Sequence, residues 1–215
     1  FAGQGLDAPE STVRFDVTPH GFHAMILGQD ETVFIDPFQP GMRDRVISYT
    51  RSSFEASSSK AMPSCTVMPN PDAAKPSSIK PDFPGGKKVQ AMGPSIAQSR
   101  VDNGTQLRTY RLALACTGEY AQFHGGTVSG TLAAMNTTMA RVNGLFERDV
   151  CLTMQLVANN DDLVFLNGGS DPYTNSSGGS MLQENVSTCN SVIGSGNYDI
   201  GHVFSTGGGG VAYLQ

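Results

Sequence analysis

The chain begins with short runs in which apolar and polar residues alternate. Val13, Phe15 and Val17 recur at every second position, so a strand would place all three on one face. Two further runs of strand character follow, each preceded by a short segment of turn-forming residues: 22–27 and 32–36. The pattern predicts a small antiparallel β unit over residues 1–55.

The middle of the chain has a different composition. Residues 56–106 contain seven of the twelve prolines and many serines, and they show neither a helical nor a strand period. Such a segment has too little apolar surface to offset the entropy cost of ordering it. We therefore predict a Pro- and Ser-rich linker over residues 56–106.

The remaining residues, 107–215, alternate between strand-like and helix-like patterns. Three short apolar runs predict strands: 111–116, 151–157 and 200–204. Two apolar stripes with steps of three and four predict amphipathic helices, one starting after Thr127 and one over 181–193. Strands that alternate with helices imply parallel pairing with crossovers. The predicted fold class is α/β, or α+β when the N-terminal β unit is included.

Charge and hydropathy exclude several classes of partner. The formal net charge is −5, and Lys87 and Lys88 are the one adjacent basic pair, so nucleic acid is not an expected partner. No apolar run approaches the roughly 20 residues that a membrane helix needs, so no membrane span is expected. The low charged fraction of 15% is common in secreted proteins.

The four cysteines are too widely spaced for the paired ligands of a zinc site. They suit one or two disulfides in an oxidising compartment, although buried free thiols remain an alternative. Cys151 starts a predicted strand, and Cys189 lies late on the apolar face of the helix that returns along it. We therefore predict a disulfide between Cys151 and Cys189.

Two segments of this region carry a family resemblance. Cys116-Thr-Gly-Glu-Tyr-Ala-Gln-Phe-His-Gly-Gly-Thr127 and Tyr198-Asp-Ile-Gly-His-Val-Phe-Ser-Thr-Gly-Gly-Gly-Gly-Val-Ala-Tyr-Leu214 resemble the reprolysin-like branch of the metzincin zinc proteases. The resemblance covers residues 107–215, the N-terminal half of such a catalytic domain. Residues 1–55 are similar to the prodomain-like region that precedes it.

The resemblance implies a substrate-binding edge strand after the third strand of the sheet. In this chain that rim comprises Gly207, Gly208, Gly209, Gly210, Val211, Ala212 and Tyr213. An edge strand offers backbone N–H and C=O groups to which an extended peptide can add. A peptide or protein substrate is therefore the expected partner.

The resemblance also implies zinc as cofactor, bound by an H-E-x-x-H helix that this sequence lacks. We therefore expect the ligands in the remaining C-terminal part of the catalytic domain, which becomes a second expected partner. The chain is expected to be the N-terminal portion of a secreted zinc-dependent endopeptidase, inactive by itself and without catalytic residues. A proteolytic piece that stays bound to its other half is a further interpretation.

Cys65 lies upstream of the domain that would bind zinc in the complete protein. Prodomains of related proteases often hold a cysteine whose thiolate occupies the open zinc position, and zinc binds thiolate well. Cys65 is therefore a possible latency ligand. The alternatives are a disulfide between Cys65 and Cys116, or a free thiol.

A rival interpretation is a non-catalytic secreted binding or adhesion module. The loop at 159–179 is rich in Asn and Asp, and its oxygen atoms could bind calcium through Asp161, Asp162 and Asp171. The same residues also suit ordinary turn formation, in which Asx side chains bond to nearby backbone.

Overall fold

The computed structural model describes residues 1–57, 65–69 and 106–214. The N-terminal part is a five-stranded antiparallel sheet whose strands follow one another in chain order. Its strands are β1 (Ala2–Gln4), β2 (Thr12–Thr18), β3 (Gly21–Leu27), β4 (Thr32–Pro37) and β5 (Val46–Thr50), followed by helix α1 (Arg51–Ser57). The predicted antiparallel β unit is thus present.

The segment predicted as a linker contains one described strand, β6 (Cys65–Pro69). The sequence analysis expected no regular structure there, and α1 also extends to Ser57, beyond the predicted boundary. The strand forms because β6 pairs with a strand more than a hundred residues away, which no local pattern can indicate. The remainder of the linker prediction, at 58–64 and 70–105, lies outside the described residues.

The C-terminal part contains a three-stranded parallel sheet in the order β8–β7–β9. Its strands are β7 (Arg108–Cys116), β8 (Leu152–Leu156) and β9 (Ile200–Phe204). The connecting helices are α2 (Gly118–Phe123), α3 (Val128–Val150) and α4 (Gly178–Val192), and a final strand is β10 (Gly210–Leu214). The predicted mixed α/β fold, with parallel strands and flanking helices, is confirmed.

The helix starts follow capping rules, with one correction. Thr127 caps α3 as predicted, accepting a hydrogen bond from the Gly130 amide. The second helix begins earlier than the predicted 181: its first residue is Gly178, and the side chain of the N-cap Ser177 accepts a hydrogen bond from the Ser180 amide. Helix α2 has six residues, too few to show a periodic stripe.

The second half of β7, residues 112–116, is buried on both faces and carries the core of this part. Leu112, Leu114 and Cys116 point toward α3, where Met135 and Met139 pack against them. Ala113 and Ala115 point to the other face, where the helix α4 side chains Met181 and Cys189 pack. The result is a helix–sheet–helix sandwich, as alternating strands and helices predict.

The N-terminal β unit packs on the outer side of α3. Ion pairs join Arg14 to Glu147 and Arg141 to Asp36 across the contact. Gly144 makes the close approach possible, since a Cβ atom there would lie 2.7 Å from Cγ of Arg14. Helix α3 is therefore held between the parallel sheet and the β unit.

Candidate functional site

The predicted rim is a strand in the structure, but only from its fourth residue. Strand β10 begins at Gly210, whereas Gly207, Gly208 and Gly209 form the turn that leads into it. Gly209 has a φ of 96°, a left-handed conformation that glycine adopts without a Cβ clash. Val211, Ala212 and Tyr213 lie in the strand proper.

The chain's own segment occupies this rim. Strand β6 pairs with β10 in parallel along five residue pairs, from Gly210 opposite Cys65 to Leu214 opposite Pro69. Among the described strands, β10 has no other ladder partner and is not hydrogen-bonded to the sheet of β7, β8 and β9. One edge of the strand expected to bind an extended peptide is therefore already paired with an extended segment of the chain.

Asn175 ties the turn before β10 to the sheet. Its Oδ1 accepts hydrogen bonds from the Thr117 hydroxyl at 2.9 Å and the Thr206 amide at 3.1 Å. Its Nδ2 donates to the Thr206 hydroxyl at 2.8 Å. Thr117 directly follows β7 and Thr206 lies two residues after β9, so one side chain joins the ends of two strands.

Helix α4 also supports β10 by direct packing. A Cβ atom at Gly178, the first residue of the helix, would lie 2.7 Å from Cγ2 of Val211. Only glycine allows this approach, so the helix start and the rim strand are in close contact.

The structure does not contain the predicted Cys151–Cys189 bond. Cys189 is a buried thiol whose Sγ lies 3.5 Å from Oδ1 of Asn185, and burial raises its pKa to about 11. Cys189 packs at the level of Gly201, which pairs with Ala113, whereas Cys151 lies next to the pair of Leu152 and Arg108. Five residues along a strand span roughly 17 Å, far more than a disulfide bridges.

Cys116 is also a free, buried thiol, and burial raises its pKa to about 11. The structure therefore does not contain the alternative Cys65–Cys116 disulfide. The described backbone places Cys65 opposite Gly210, the first residue of the rim strand.

The described residues do not fit a zinc site. Nowhere in residues 1–57 or 106–214 do three or more His, Cys, Asp or Glu side chains converge as a metal-binding group. His20 and His124 are neighbours, with ring centroids 6.2 Å apart, but the His20 Nε2 already donates to the Gly130 carbonyl at 2.7 Å. Burial, followed by the neighbouring His20, lowers the pKa of His124.

The loop residues considered for calcium do not converge either. Asp161 and Asp162 are exposed in a short 3-10 turn, Asn160–Leu163. Asp171 accepts hydrogen bonds from the backbone amides of Gly118, at 2.6 Å, and Tyr173, at 2.8 Å. Turn and cap formation therefore accounts for Asp171.

Two features of the site have no recognisable pattern in the sequence. The run from Cys65 to Met68 lies between two prolines and is too short to identify as a strand by alternation. Asn175 has no local signal beyond its place in an Asn-rich loop, because the hydrogen-bond partners of its side chain are 58 and 31 residues away.

In the described part of the chain, none of the helices has the length and hydropathy needed to cross a membrane.

Comparison with known proteins adds a family to this geometry. The model of the reprolysin-like metallo-peptidase family M12B matches residues 106–215, which is half of the chain and includes the whole parallel sheet and β10. Searches of curated proteins and of solved structures found no significant match.

Proposed function

This chain belongs to the reprolysin-like M12B metallopeptidase family, and we propose that it is the N-terminal portion of a secreted zinc-dependent endopeptidase. The family match supports peptide or protein substrates. The low charged fraction of 15% is the feature that favours secretion. Detecting the native protein in the culture medium rather than in the cell lysate tests that part.

In this proposal the zinc ligands belong to the C-terminal remainder of the catalytic domain. Zinc would supply an activated water there, which is the chemistry that the family uses on peptide bonds. The role of the described residues is to bind and orient the substrate backbone, and no catalytic residue is assigned to them.

The pairing of β10 with β6 is the observation that carries the proposed rim function. A strand that binds one extended segment through its backbone has the geometry to bind another of different sequence, because main-chain groups are common to all peptides. The ladder covers all five residues of β10. A substrate would take the place of residues 65–69 once that segment leaves.

The same pairing supports latency. Residues 65–69 would compete with a substrate that adds to the same edge of β10, because both would use the same N–H and C=O groups. Cys65 stands at the first pair of the ladder, and the structure contains no disulfide between Cys65 and Cys116. We keep Cys65 as a candidate latency ligand of zinc in the complete protein.

The complete protein, expressed from its full reading frame, provides the test. We expect hydrolysis of a quenched fluorescent peptide after removal of the N-terminal segment, loss of activity with a zinc chelator, and recovery on adding zinc. Inactivity of the processed protein in the presence of zinc would refute the proposed function.

A pair of variants separates the role of the Cys65 thiol from that of the strand. Cys65→Ser should raise activity before processing, whereas the neighbouring conservative change Thr66→Ser should not. Equal latency of Cys65→Ser and the unmodified protein would eliminate the thiol as a zinc ligand and leave the strand as the blocking element.

A further inference from the structure

Strand β10 needs an anchor that the sheet does not supply. Its described ladder runs only to β6, which leaves in the proposed function. Helix α4 packs against β10. The turn that connects β10 to β9, residues 205–209, is the covalent link between the rim and the sheet.

The side chain of Asn175 holds that turn. All three of its hydrogen bonds lie between 2.8 and 3.1 Å, and two of them reach Thr206, one through its amide and one through its hydroxyl. The third comes from Thr117, which is fully buried and also receives the amide of Tyr120 as the cap of α2. Asn175 thus connects the turn to Thr117, at the buried end of β7.

The backbone of Asn175 meets the same turn. Its carbonyl oxygen would be 3.1 Å from a Cβ atom at Gly207, so the two backbone segments lie against each other. Side chain and backbone of one residue therefore fix Thr206 and Gly207, the two residues from which the rim departs.

We propose that Asn175 is the positioning residue for the substrate rim: it holds the turn before β10 in the register that lets β10 receive an extended peptide. This inference rests on the proposed function of β10. Asn175 does not contact the bound peptide itself but acts through Thr206. Because the rim binds the peptide before and during the reaction alike, losing the anchor should raise KM and leave kcat nearly unchanged.

The substitutions separate positioning from general stability. Asn175→Ala removes all three side-chain bonds, while Asn175→Asp keeps acceptors for the Thr117 hydroxyl, the Thr206 amide and the Thr206 hydroxyl. Thr206→Val removes the hydrogen bond that the Asn175 Nδ2 donates to the Thr206 hydroxyl, and Thr206→Ser retains it. Asn143→Ala is the matched control, because the Asn143 amide also makes two backbone bonds, at 2.8 and 2.9 Å, but to Met154 in β8.

The first readout is hydrogen exchange in the chain itself. We expect the amides of residues 206–213 to exchange about tenfold faster in Asn175→Ala, roughly the effect of losing one or two net hydrogen bonds. Exchange in β7 and β8 should be unchanged, and Asn175→Asp should recover most of the protection. Asn143→Ala should instead affect β8.

The second readout is the processed complete enzyme. Asn175→Ala should raise KM roughly five- to tenfold with kcat within about twofold, and Asn175→Asp should restore KM. Unchanged exchange at 206–213 in Asn175→Ala overturns the inference, as does an equal rise of KM in Asn143→Ala. If Asn175→Ala does not fold, Thr206→Val against Thr206→Ser gives the same comparison.

The two proposals fail in different ways. Faster exchange at 206–213 in a complete protein without peptidase activity would support the anchor and refute the protease function. An active enzyme whose KM and exchange are insensitive to both Asn175→Ala and Thr206→Val would support the protease function and refute the anchor.

Discussion

Replacing Asn160 by alanine should destabilise the parallel sheet more than any surface change. Asn160 is 4% exposed, and its side-chain amide bonds both backbone groups of Leu114, the amide at 2.8 Å and the carbonyl at 2.9 Å. It takes the place of a strand partner beyond the end of β8, where the last described pair is Leu112 with Leu156.

The expected loss of stability follows from the two backbone groups that the substitution leaves without hydrogen-bond partners. In Asn160→Ala two backbone groups of the fully buried Leu114 lose their partners, and each unsatisfied buried group costs about 1–3 kcal/mol. We therefore expect the free energy of unfolding to fall by about 2–6 kcal/mol. Asn143→Ala removes two similar bonds at a part-buried site, where water can replace them, and should cost about 1–2 kcal/mol.

Urea unfolding followed by far-UV circular dichroism measures the difference. With m near about 2 kcal/mol per molar, the midpoint for Asn160→Ala should fall by about 1–3 M and by clearly more than for Asn143→Ala. A midpoint within about 0.3 M of the unmodified chain would refute the argument that Asn160 completes the ladder of β7.

Three further predictions concern the side chains of His124 and Asp199 and the contact between α3 and the β unit. The pKa of His124 is lowered in the folded chain, so the unfolded chain takes up a proton first as pH falls. The contribution of His124 to stability is therefore present above about pH 6.5 and is lost below it. The loss of Tm between pH 7.5 and 5.5 should be smaller in His124→Gln than in the unmodified chain, and an equal loss would contradict this. The hydrogen bonds from Arg111 lower the pKa of Asp199 to about 2, so the stabilisation by that pair is present above about pH 4 and lost as pH falls toward 2; Asp199→Asn should flatten this part of the acid unfolding curve, and an unaltered curve would speak against the pair. Gly144→Leu should loosen the β unit from α3 at a cost of about 1–3 kcal/mol, because the new side chain would meet Arg14 and Met25; faster hydrogen exchange in β2 and β3 would confirm it, whereas the open site Gly196, changed to alanine, should show no effect.

The parts of the fold that the sequence predicts are those with a local cause. Helix α3 was predictable because its apolar residues recur at steps of three and four along 23 residues. The central strand β7 was predictable because burial on both faces leaves a continuous apolar run. Thr127 was predictable as a cap because capping depends on neighbours two or three residues away.

The parts that escaped prediction depend on distant residues. Strand β6 exists only through its pairing with β10, and Asn175 acts only through Thr117 and Thr206. The Cys151–Cys189 pairing assumed that a returning helix reaches the start of its strand. Instead α4 follows a loop and packs across β7 and β9, which places Cys189 at the middle of the sheet. The order of elements along the chain predicts the direction in which an element runs, but not which residues of the neighbouring elements it packs against.

The central claim is that β10 is a substrate rim held closed by residues 65–69, and one pair of variants tests it most directly. In a parallel ladder only alternate residues of β6 direct their amides at β10, and proline has no amide hydrogen. Thr66→Pro and Val67→Pro therefore differ. In one variant the proline removes a hydrogen bond to β10, and in the other it replaces an amide that points away from β10. We predict that, in the unprocessed complete protein, one of the two variants hydrolyses a quenched peptide while the other stays far less active. Equal latency of both variants and the unmodified protein would contradict the claim.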